Sequence, residues 1–291
     1  MSALTFSGHD TFHCRQFWLK KAYDFAKKGH DFNKSEAVLE LGVGKNMVTA
    51  MRYWAKCFGI IDADNCPTGI AEELLSDSGW DPYLEDIGSL WLLHHELVVG
   101  EKASIFSIIF NELIRERPEF DADTFTKFVS TRKGDYNENT VKKDFTVFYK
   151  TYYADFKSSD IEDSFTGVLT ELNLIKQLKK TFLDSEGKSR SKDVWLIERQ
   201  TRNEIPLHIL LYGILSQNPE EVSISFDKLY NETNGIGSVF ALSREGLTEV
   251  LERISKELKY GLVFSNEAGV RELQFKKILK KEKVLEDYYG K

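Results

Sequence analysis

The chain has 291 residues, a formal net charge of −7, 42% hydrophobic residues and 13% aromatic residues. That is room for about two domains of ordinary size, and too apolar for wholesale disorder. The acidity argues against a protein that simply coats nucleic acid. No apolar run approaches the roughly 18–20 residues of a membrane span.

The start, MSALTFSGHDTFHCRQFW, lacks a basic segment leading into an apolar one, so it does not read as a signal peptide. Cys14, Cys57 and Cys66 are odd in number and irregularly spaced. That fits reduced thiols in a cytoplasmic protein better than a disulfide framework. Charge is unevenly placed. Residues 1–60 carry nine Lys/Arg against five Asp/Glu, and residues 61–118 carry three against twelve. A local basic face on an acidic protein is therefore available.

Taken in chain order, residues 13–28 place Phe17, Ala22 and Phe25 at broadly helical spacing. SEAVLEL follows, with Ser35 as its expected N-cap. Next comes LGVGKNMVTAMRYWAKCFGII, residues 41–61, which raises a choice between a phosphate loop and a helix-turn-helix. A phosphate loop needs Gly five places before Gly44 and Ser/Thr after Lys45, but the residues there are Leu39 and Asn46. A dinucleotide fingerprint fails because Met47 stands where the third glycine belongs.

The helix-turn-helix reading uses more of the sequence. Ala37 is small where helices would cross, and Gly42 sits at the reversal, where positive φ is expected. Val43 can plug the turn, and Val48, Met51 and Trp54 form one buried stripe. Lys45, Asn46, Thr49, Arg52, Tyr53 and Lys56 are left on other faces, as candidates for bases and phosphates. Arg15, Lys20 and Lys21 extend that candidate DNA face. The same geometry also serves domains that bind only protein.

GIIDADNCPTGIAEELL then reads as a small wing returning toward helix. In residues 79–98 Asp81-Pro82 signals a turn or helix start, and Glu85 and Asp86 fit a helix's first turn or an acidic partner surface. His94 and His95, about 100° apart on a helix, predict one buried and one exposed ring. Gly100 separates this helix from SIFSIIFNELIRERP, which Pro118 ends.

A domain boundary near Pro118 is expected, giving an N-terminal winged-helix-like domain with a helical extension (1–118) and C-terminal winged-helix-like repeats (119–291). In the second part a short helix precedes a longer one from about Asn137. VWLIERQ reads as a strand, then a helix begins near Pro206. SFDKLYNET and SREGLTEVLERISKEL are a short and a long helix, and YGLVFSNEAGVRELQFKK is a hairpin. The basic clusters 176–180, 187–192 and 276–283 read as solvated helix faces and a loop, or as phosphate contacts. The expected class is mainly α with short β-hairpins, in tandem winged-helix or helix-turn-helix modules.

GHDTFHCR, residues 8–15, invites a metal reading through His9, Asp10, His13 and Cys14, yet no matching ligand pair follows downstream. The plainer reading has His9 and Asp10 pairing or capping a helix, with Phe12 as an anchor. No cofactor is expected.

SGHDTFHCRQFWLKKAYDF, the 41–61 stretch, GWDPYLEDIGSLWLLHHELV and GLVFSNEAGVRELQF together resemble one uncharacterised bacterial family, a domain of unknown function of about this full length. Gly8, His9, Asp10, Thr11 and Phe12 carry the most specific part. In the family pattern the acidic residue is more often Glu and the place of His13 is commonly Pro, which weakens a metal role for His13. The resemblance implies gene neighbours similar to phosphoadenosine-phosphosulfate reductases, in clusters linked to DNA phosphorothioation or phage defence. It brings no catalytic residues. The expectation is a non-enzymatic, double-stranded-DNA-binding accessory or regulatory protein. The alternative is an adaptor docking a sulfur-transfer or ATPase partner through Glu85 and Asp86. A metal-dependent enzyme is the third reading.

Overall fold

A computed structural model describes residues 4–154, 166–183, 187–267 and 269–290. It combines helices with two small antiparallel sheets of three strands each. The N-terminal helices are α1 (Trp18–Lys27), α2 (Glu36–Leu41), α3 (Lys45–Cys57) and α4 (Gly69–Leu75), followed by α5 (Ile87–Val99). Helices α6 (Ser104–Ile108) and α7 (Ile114–Glu116) are joined by a π-turn, Ile109–Leu113. Pro118 follows at once, and the proline ends the run as its missing N–H demands.

The first sheet contains β1 (Glu119–Phe120), β2 (Lys176–Leu183) and β3 (Ser189–Leu196) in the order β1-β3-β2. Between β1 and β2 run α8 (Ala122–Lys133) and α9 (Glu138–Tyr152). The second sheet repeats that order. It follows α10 (Leu207–Gln217) and contains β4 (Ser223–Ser225), β5 (Leu262–Glu267) and β6 (Val270–Phe275), ordered β4-β6-β5. Between β4 and β5 lie α11 (Phe226–Asn231), α12 (Ile236–Val239) and α13 (Arg244–Glu257), and α14 (Lys281–Tyr289) closes the chain.

Side-chain oxygens cap several of these helices. Asp121, Asn137, Ser225 and Ser243 accept from backbone N–H groups of α8, α9, α11 and α13. Each such cap contributes about 1 kcal/mol. Ser35 does not act this way. It sits in helical backbone and its hydroxyl turns to Glu36, so the expected cap of α2 is absent.

The core is continuous and rich in aromatics. Trp54, Phe106, Phe148 and Tyr152 follow one another with ring centroids 5.3–5.9 Å apart. Each fully buried ring of this kind contributes about 1.5–3 kcal/mol. Helix α5 is apolar all round and is covered all round, by α6, α10 and α12 among others. Both its histidines are consequently buried, His94 at 0% and His95 at 1% exposure. The expectation of one exposed ring fails because the faces of α5 that carry His94 and His95 are both covered.

Two further expectations change. The basic cluster 176–180 lies in strand β2 rather than on a helix, and 189–192 lies in β3. Residues 184–186 of the loop between them are outside the described residues. Of the cluster 276–283, only the last three residues enter a helix, α14.

Candidate nucleic-acid interface

Gly42 ends α2 in the left-handed region (φ 67°), and its N–H donates to Val38 O at 3.1 Å. Gly44 then opens α3 in extended backbone. The two glycines let one helix stop and the next start within three residues. Along α3, Val48, Ala50, Met51, Trp54 and Ala55 are buried. Lys45, Asn46 and Thr49 are exposed, and Arg52, Tyr53 and Lys56 are half-buried. No side chain caps the start of α3, and no acidic residue stands in its first turn. Its positive end is thus offset neither by a cap nor by a carboxylate.

The half-buried cations are held by neutral oxygens. Arg52 Nε donates to Asn65 Oδ1 at 2.7 Å, and Nη1 donates to Asn33 Oδ1 at 2.8 Å. Lys56 Nζ donates to Ala63 O, and Lys102 Nζ reaches Lys56 O at 2.9 Å. Burial, then repulsion from Arg52 and Lys102, holds the Lys56 ammonium below its ordinary value, while Asp62 and Asp64 pull the other way. Asn33 lies ahead of α2, and Asn65 and Ala63 belong to a small turn at 61–67, closed by an Ile61–Pro67 bridge. Asn65 takes positive φ there, which asparagine tolerates better than most residues.

The GHDTF segment lies beneath α3 and fixes it. A Cβ on Gly8 would fall 2.2 Å from the Tyr53 ring, so only glycine fits. The His9 ring lies parallel to Trp54 (5.9 Å, 8°). Its Nδ1 accepts from Thr11 N–H, and Nε2 sits 3.2 Å from Asp144 Oδ1, off the line of a good hydrogen bond. Asp144, on α9, also accepts from Ser7 N–H. Trp54 Nε1–H donates to Phe12 O. Asp10 and Thr11 are exposed with positive φ. His9 therefore has both nitrogens turned inward, and His13 and Cys14 are buried. Burial, then the charge of Cys57, raises the Cys14 thiol well above its ordinary value. Among the described residues no three His, Cys, Asp or Glu side chains group to hold a metal.

The other candidates divide. Lys21 is exposed and its Nζ lies 3.4 Å from Leu41 O, beside the α2–α3 turn. Arg15 is half-buried against the Trp18 ring. Lys20 is buried between Asp24 (2.7 Å) and Asp77 (2.9 Å). Burial alone would lower its ammonium, but the two carboxylates outweigh that and raise it. Lys20 therefore ties α1 to the segment after α4 and does not join the α3 face. Glu85 is exposed. Asp86 is the N-cap of α5, accepting from Gly88 N–H, Ser89 N–H and the Tyr288 hydroxyl. Asn33, Asn65, Lys102 and Asp144 were not legible as partners, because each is distant in sequence from the group it holds.

The arrangement is that of a helical protein with two small sheets and a cationic helix face propped on a glycine-dependent N-terminal segment. The chain belongs to the family described as "Protein of unknown function (DUF4007)", which matches residues 6–289. Two solved structures are similar, described as "Magnesium ion-bound SspB crystal structure" and "SspB crystal structure". They have TM-scores of 0.82 and 0.81, 28% identity each, and cover 100% of this chain and 88% of theirs. No curated protein matches.

Proposed function

We propose that the protein binds double-stranded DNA through α3 and serves a bacterial DNA-modification or phage-defence system as a non-enzymatic, cytoplasmic accessory or regulatory component. The observation that carries this is that Lys45, Arg52 and Lys56 share one helix with no carboxylate partner among the described residues. A cationic helix face of this kind suits a phosphate backbone, and its exposed Lys45, Asn46 and Thr49 suit base edges in the major groove.

The strand order supports winged-helix modules. β1-α8-α9-β2-β3 and β4-α11-α12-α13-β5-β6 both place the first strand beside the third, as a winged helix does, and α2-α3 with the 61–67 turn is a shorter version. The system-level part of the reading rests on the resemblance carried by Gly8, His9, Asp10, Thr11 and Phe12. Magnesium is attested for SspB alone, and the α3 face works by fixed cations.

The test is a duplex titration by fluorescence anisotropy at two salt concentrations, wild type against Lys45→Ala/Arg52→Ala. Weaker binding and a shallower salt slope in the variant support the reading, whereas equal binding by both, or none by either, removes it. For the adaptor alternative, Glu85 is the usable probe. It is exposed and so available to a docked phosphoadenosine-phosphosulfate-reductase-like or ATPase partner, and Glu85→Lys should abolish co-purification without disturbing the α5 cap.

A further inference from the structure

A second cationic group lies far from α3, where the end of α7, the segment after β3 and α12 meet. Arg115 Nε and Nη2 donate to Ser238 Oγ at 3.2 and 2.6 Å, and Arg199 Nη2 donates to the same oxygen at 3.3 Å. The Ser238 hydroxyl is directed to Tyr230 O at 3.5 Å, which leaves its lone pairs to the two guanidiniums. Ser238 itself is fully buried. Arg115 Nη2 also reaches Glu232 O. Two full positive charges therefore converge on one neutral oxygen.

Among the described residues the charge of Glu112 offsets Arg115 only in part. In a chain with 46 Asp and Glu, neither Arg115 nor Arg199 has a carboxylate partner among the described residues. The nearby Glu112 is taken by Lys133 at 2.6 Å. Among the described residues Arg115 Nη1 and Arg199 Nε and Nη1 meet no acceptor, and Arg199 Nε is shielded from solvent. Burial, then repulsion from Arg199, lowers the Arg115 guanidinium from its ordinary value. Arg199 is kept in place by the Tyr230 ring, 5.0 Å away, and Arg244 lies over that ring at 4.9 Å. The donors that remain, on Arg115 Nη1 and on Arg199 Nε and Nη1, are suited to a tetrahedral oxyanion, which accepts from several donors at once.

We propose that Arg115 and Arg199, positioned by Ser238 and Tyr230, form a binding site for a phosphoryl group. The site stands independently of the α3 reading. The phosphoryl group is either a free phosphate or a phosphate of a nucleic-acid backbone.

The test compares thermal unfolding of the full chain in inorganic phosphate and in chloride at equal ionic strength, alongside NMR of arginine Nε–H groups in the wild type. The expected result is a phosphate-specific rise in midpoint and shifted Arg115 and Arg199 resonances. Arg115→Gln/Arg199→Gln should lose the rise, while Lys45→Ala/Arg52→Ala should keep it. If the double glutamine variant does not fold, the wild-type resonances decide. Unmoved Arg115 and Arg199 resonances, or a rise that survives in the folded glutamine variant, would overturn the site. A duplex titration then assigns the source. Binding weakened several-fold in the glutamine variant assigns the site to backbone phosphate, and unchanged binding assigns it to free phosphate.

Discussion

Helices α3 and α13 occupy similar positions in their segments. Each follows a shorter helix and a turn, and each leads into a strand pair or bridge. Their surfaces differ. α3 begins at Gly44 with no side-chain cap and shows Lys45, Asn46, Thr49, Arg52 and Lys56. α13 begins at Ser243, whose hydroxyl accepts from Gly246 N–H, carries Glu245 in its first turn, and exposes Glu249, Glu252 and Glu257. The positive end of α13 is thus already satisfied within the chain, and its Glu252 and Glu257 pair with Lys256 and Arg253, so its face carries ion pairs rather than open cations. The same local architecture can hold either kind of face, so a function has to be argued from the side chains and not from the helix-turn-helix shape.

The difference can be tested by exchanging it. Lys45→Glu/Arg52→Glu on α3 should weaken duplex binding by on the order of 100-fold near 0.1 M salt, measured by anisotropy. A loss under about threefold would erase the contrast. In the core, His94 of α5 accepts a hydrogen bond from the Tyr152 hydroxyl at Nδ1 and donates from Nε2 to Val239 O, joining α9 to α12. Burial holds its imidazole down at about 3 from an ordinary 6.5. The folded form therefore stays neutral where the unfolded chain takes up a proton. The His94 contribution is complete above about pH 6.5 and falls as pH drops toward 3, by a few kcal/mol at the low end. Chemical denaturation across that range should show the loss, and His94→Gln should flatten that part of the profile.

Gly8→Ala should cost about 1–3 kcal/mol, because the new methyl meets the Tyr53 ring at 2.2 Å. Its effect on DNA binding should exceed its effect on the far α13 region by hydrogen exchange. Lys45→Ala alone should weaken binding about threefold to tenfold and lower the salt slope by about one. Glu249→Ala on α13 should change neither.

Much of α3 was legible in the sequence. The three-residue spacing of Val48, Met51 and Trp54 gave its buried stripe, and Gly42 gave the reversal, because both signals are local. Strand β2 was not, since its basic residues read as a helix face, and neither was the short first strand of each sheet. β1 has two residues and β4 has three, and they exist as strands only through pairing with β3 and β6. The GHDTF segment stood out as unusual, but its role depends on Asp144, which binds Ser7 N–H from 137 positions away. Lys20 looked like one more surface cation until Asp77 closed on it from another element. Arg115 and Arg199 carried no motif at all, since only the fold brings them to Ser238.

The central claim is that DNA meets α3 and not α13. Site-specific photo-crosslinking tests it directly, with a crosslinking residue placed at Thr49 in one protein and at Glu249 in another, both exposed positions on their helices. The account predicts salt-sensitive crosslinks to duplex DNA from position 49 and none above background from position 249. Equal yields from both, or a yield from position 249 alone, would contradict it.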